Sequence, residues 1–136
     1  MHLPSITAGY LAVLALLYVA LSVQVVRLRL KTRAAFSDGG SVELRSAIRA
    51  HAHFAEYVPI TALMVAMLEM SGVAALRIHL LMAALLLARL LHPLGMYAKP
   101  NTLQFRIGRS GGMTITTGLL IVCALLILSR ALMAAN

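Results

Sequence analysis

Between residues 45 and 56, four side chains able to bind a charged ligand recur at helical spacing: Arg45, Arg49, His53 and Glu56. At about 100° per residue they fall within an arc of roughly 80°, a polar stripe about three turns long on one helix face. A second group shares a face of a later helix, with Arg89, His92 and Met96 together and Tyr97 at its margin. Arg106, Arg109 and Ser110 stand where the last helix begins. Arginine stays charged at any relevant pH, and its planar fork matches carboxylates and other anions. Several arginines converging with one carboxylate predict a site for an anionic ligand.

The elements that must carry these groups are membrane helices. Of 136 residues, 61% are hydrophobic and only 12% charged, far from the roughly half apolar and quarter charged composition of a soluble domain. One cysteine, Cys123, excludes a disulfide framework and a cysteine-based zinc site. A lipid bilayer takes about 20 apolar residues as helix, because backbone groups in lipid must be satisfied within the segment. Four spans are expected in a single domain covering 1–136, at about 5–28, 43–71, 73–97 and 110–132. The first reads as a retained anchor, since a cleaved signal peptide has a charged start and a shorter apolar run.

Formal net charge is +8, and ten of the twelve Lys and Arg fall toward the side of the membrane that holds the connections between spans 1 and 2 and between spans 3 and 4. The positive-inside rule makes those connections cytoplasmic and puts both termini on the outer side. No segment is long and polar enough to form a nucleic-acid-binding domain. The run Arg27, Arg29, Lys31, Arg33 is most simply an orientation signal or a contact to anionic headgroups. Arg49, Glu56, Arg89 and His92 are different. Inside apolar helix a charged side chain costs about 2.5–3.5 kcal/mol on insertion scales and normally turns to the bundle interior or to water. Glu56 is a candidate partner for Arg49 or Arg89. His51, His79 and His92 read as packing or hydrogen-bonding residues, and no cluster has the spacing of a metal site. Gly108 and Gly112 fit a small-xxx-small helix contact.

Val26-Arg27-Leu28-Arg29, Glu43-Leu44-Arg45, Arg49-Ala50-His51 and Glu56-Tyr57-Val58-Pro59 resemble the MAPEG family, the membrane-associated proteins in eicosanoid and glutathione metabolism. Arg89-Leu90-Leu91-His92, Gly95-Met96-Tyr97 and Arg106-Ile107-Gly108-Arg109-Ser110 extend the likeness over nearly the whole chain, and the pattern after Asp38 is most similar to the small bacterial inner-membrane members. The resemblance implies an all-α membrane protein, a left-handed four-helix bundle assembled as a homotrimer, with glutathione as co-substrate between subunits near the cytoplasmic side. It implies transferase or peroxidase activity on lipophilic electrophiles or lipid hydroperoxides drawn from the bilayer. By position, Arg27, Arg49, His53, Glu56, Arg89 and Tyr97 would bind glutathione, and Arg109 with Ser110 would hold its thiolate. This sequence departs from the family in having His53 where many members carry an asparagine, Ala52 and Phe54 in place of polar neighbours, and Met96 at a candidate tyrosine position.

Two other classes compete. A small multidrug-type transporter relies on a membrane-embedded glutamate in its first span, and this first span has no acid. A non-catalytic lipid-binding scaffold would use the arginines to hold headgroups.

Overall fold

A computed structural model describes residues 3–99 and 101–134. Helix α1 runs Ser5–Thr32, α2 Val42–Met70 and α3 Ala75–Met96; a single turn, α4 (Leu103–Phe105), leads through a π-helical segment (Arg106–Gly111) into α5 (Gly112–Ala134). No strand occurs among the described residues. Residues α1, α3 and the continuous rod Leu103–Ala134 are each long and apolar enough to cross a membrane. The charges at Glu43, Arg45, Arg49, Glu56 and Glu69 keep α2 out of that class. With 29 residues, α2 is about 44 Å long against a hydrocarbon thickness of about 30 Å, so its polar first turns can stand beyond the lipid.

Local chemistry sets the helix ends. The Ser41 hydroxyl accepts from the Leu44 N–H at 3.2 Å, and Glu43 lies in the first turn of α2, where the helix dipole favours an anion. The Thr102 hydroxyl caps α4 in the same way, accepting from the Phe105 N–H. At the end of α1, Arg33 turns left-handed, and the Arg29 side chain donates to the carbonyls of Ala34, Ala35 and Ser37, which folds the connection back against the helix. Gly72, at φ 81°, makes the short turn between α2 and α3.

Helix α1 has no side-chain cap of its own. Its first amides are satisfied from the far end of α2, where the two Glu69 carboxylate oxygens accept from the Ile6 N–H, the Thr7 N–H and the Thr7 hydroxyl at 2.9, 2.9 and 2.6 Å. Helices α2 and α3 each pack against both α1 and α5, whereas α1 and α5 occupy opposite corners without meeting. The core they enclose includes Leu14, Leu21, Phe54, Val58, Val65, Leu68, Ile78, Met82, Leu85 and Cys123. Outward, Leu16, Val19, Leu80, Leu87, Ile121 and Leu125 are exposed and give the rods an apolar exterior suited to lipid.

Candidate functional site

The stripe expected on α2 is present. Arg45, Arg49, His53 and Glu56 line one open hollow of about 370 Å³, together with Ile48, Ala52 and the loop residues Ser37 and Asp38. Arg49 and Glu56 are exposed on its wall and His53 is half-buried. Among the described residues the ion pairs are Lys31–Glu43 at 3.7 Å and Asp38–Arg45, so Glu56 neutralises neither Arg49 nor Arg89. The Gly40 N–H and the Arg45 guanidinium hold the Asp38 carboxyl below its ordinary value of 3.8. Arg45 is thereby tethered to the loop at the hollow's lower rim, leaving Arg49 and Glu56 facing the opening.

Arg89 does not face this hollow. It is 1% exposed, and its guanidinium donates to the His53 carbonyl at 3.3 Å, the Gly112 carbonyl at 3.2 Å and the Thr116 hydroxyl. A charge enclosed in the bundle thus ties the middle of α2 to the start of α5. One turn on, His92 is 2% exposed, and its Nε2 lies 2.9 Å from His53 Nδ1. His51, by contrast, stacks on Tyr18 with ring centroids 4.7 Å apart and shares a 3.0 Å hydrogen bond with the Ser22 hydroxyl, a packing role as its sequence position suggests.

Arg109 and Ser110 sit on the π-helical segment, and both are exposed. That segment lies directly on α3. A methyl group at Gly95 would collide with the backbone of Gly108 and Arg109, one at Gly108 would collide with the backbone of Gly95 and Leu91, and one at Gly112 would press on the Ala88 carbonyl. Three glycines therefore let two backbones touch, and the expected small-residue contact gains a third member from α3. The Arg109 guanidinium lies 5.2 Å from the centroid of the Phe105 ring, a cation–π arrangement that steadies an otherwise exposed side chain.

Arg27 is exposed on α1. Tyr97 ends α3, exposed, beside Gln24 of α1. A single chain thus gathers Arg49, His53 and Glu56 in the hollow, turns Arg89 inward, and carries Tyr97 on the α1 side of α3. Sequence reasoning missed the His53–His92 pair, the enclosure of Arg89 and the capping of α1 by Glu69. An i,i+3 offset of Arg89 and His92 opposite His53 was the available signal for the first. Nothing local announces the third, since it joins residues more than sixty positions apart.

Comparison with known proteins agrees with this architecture. The "Inner membrane protein YecN" of Escherichia coli K12 is 39% identical over 126 residues, spanning 93% of this chain and 88% of its own length, and the protein of the same name from Escherichia coli O6:H1 matches equally. No solved structure matches. The sequence profile of the MAPEG family covers residues 7–129, and with so much of its length accounted for the chain belongs to the MAPEG family.

Proposed function

We propose that the chain is an inner-membrane, glutathione-dependent transferase or peroxidase, active as a homotrimer, that acts on lipophilic electrophiles or lipid hydroperoxides arriving from the bilayer. The observation that carries this reading is the hollow on α2, where Arg49, His53 and Glu56 converge on space open to the outside of the chain. Glutathione carries two carboxylates, an ammonium and a thiol. Arg49 suits a carboxylate, Glu56 suits the ammonium, and Arg109 on the π-helical segment suits a thiolate. Arg27 and Tyr97 belong to the half of the site that a neighbouring copy supplies. Arg89 acts from behind, holding the backbone of His53 and Gly112 in place. The hollow lies on the cytoplasmic side, both termini lie outside, and Ser110 stands beside the thiolate position.

A guanidinium next to a thiol favours its ionised form, and a partly desolvated site strengthens that pairing. Titrating detergent-solubilised protein with glutathione tests the proposal. Stabilisation is expected, about 2.7 kcal/mol when the ligand stands a hundredfold above its Kd. Arg109→Ala is expected to keep that stabilisation and lose the ultraviolet absorbance of the bound thiolate. The absence of any shift at millimolar glutathione would replace this reading with the lipid-binding scaffold.

A further inference from the structure

We infer that His53 is the base that takes the proton from the thiol, and that His92 is the residue that positions it. The inference rests on the glutathione reading above and assigns the proton acceptor of that same site. His53 lines the hollow, while its Nδ1 is 2.9 Å from Nε2 of the enclosed His92, the rings 5.1 Å apart and inclined at 40°. The two imidazoles form a chain from the bundle interior to the ligand space.

The two ring nitrogens share one hydrogen bond, so one donates and the other accepts. A base at His53 requires His92 to carry its proton on Nδ1, which is buried, and to offer Nε2 as the acceptor. His53 then donates through Nδ1, and its own Nε2 lone pair remains for the hollow. The charged groups acting on His53 are Glu56 and Arg49 from α2, Arg89 from α3 and Arg109 from the π-helical segment. Tyr57 presents its ring edge-on, with centroids 6.4 Å apart.

In the step itself the S–H bond breaks, its electron pair stays on sulfur, and a new N–H bond forms at His53 Nε2. The thiolate is paired with Arg109 and the imidazolium forms beside it, so the site's net charge does not change and no proton reaches solvent.

Proton counting decides the matter. Glutathione is mixed with the detergent-solubilised protein in weakly buffered solution at neutral pH, and thiolate absorbance and an indicator dye are read together. The native protein is expected to form thiolate with almost no proton release, whereas His53→Asn is expected to release one proton for each thiolate formed. His92→Gln, whose amide oxygen still accepts from His53 Nδ1, is expected to retain uptake, and His92→Leu to lose it while binding glutathione. Release of one proton per thiolate by the native protein would overturn the inference and leave the glutathione site standing. Failure of glutathione to stabilise the native protein would overturn both.

Discussion

Glu69 joins the two ends of the first hairpin, and its removal has a calculable effect. Its carboxylate accepts two backbone N–H groups and one hydroxyl, from Ile6 and Thr7, and Thr7 is only 2% exposed. Hydrogen bonds to a charged acceptor contribute about 1.5–3 kcal/mol each, and an anion at a helix N-terminus adds about 0.3–1 kcal/mol. Three such bonds do not sum fully, because Glu69 is half-buried and water takes over part of the solvation in the variant. The expected loss for Glu69→Ala is therefore about 3 kcal/mol. Thr7→Val removes the hydroxyl donor alone and should cost about 1 kcal/mol in the native background and almost nothing once Glu69 is gone, a coupling of about 1 kcal/mol. Equilibrium unfolding in mixed micelles supplies the energies, and amide exchange at Ile6 and Thr7 localises the change. A Glu69→Ala protein within about 0.5 kcal/mol of the native one, or a Thr7→Val cost equal in both backgrounds, would refute the reasoning.

Gly108→Ala drives a methyl group into the Gly95 backbone and should destabilise by about 3 kcal/mol, whereas Gly118→Ala, with open space around it, should be neutral or stabilise by up to about 1 kcal/mol; thermal unfolding separates the two. Arg89→Lys cannot span the acceptors on α2 and α5, so it should lower stability by about 1–3 kcal/mol while leaving the size of the glutathione-induced stabilisation unchanged; a lost ligand response would instead put Arg89 in the hollow. The Asp38 carboxyl is held low in the folded protein, so its contribution is present above the ordinary value of 3.8 and disappears as pH falls through the folded value. Acid titration should accordingly loosen the loop at 37–41 below pH 3.8, an effect that Asp38→Asn weakens by removing the charge opposite Arg45, as amide exchange at Gly40 would register.

Three of the four rods were legible because apolar length is a one-dimensional property, while α2, interrupted by charges, was legible from its turn residues and its Ser41 cap. The wheel arithmetic that grouped Arg45, Arg49, His53 and Glu56 was equally sound, since all four line one hollow. It worked because those residues share a single helix. Arg89 is different: its place on a face could be read, but not that its guanidinium is enclosed between the His53 carbonyl of α2 and the Gly112 and Thr116 acceptors of α5. The π-helical segment was illegible for a related reason. It coincides with the close approach of Gly95 and Gly108, which exists only once α3 and the final rod are side by side. The task of Glu69 depends on where α1 begins in space.

The acceptors of Arg89 bear on how the chain is made. Two of them, the Gly112 carbonyl and the Thr116 hydroxyl, belong to a segment synthesised after α3. When α3 first reaches the bilayer, its guanidinium lacks those partners and carries an insertion penalty of about 2.5–3.5 kcal/mol. The second half of the protein is therefore favoured to enter the membrane as a paired unit. Its order of biogenesis is written into the same contact that later steadies the backbone behind the hollow.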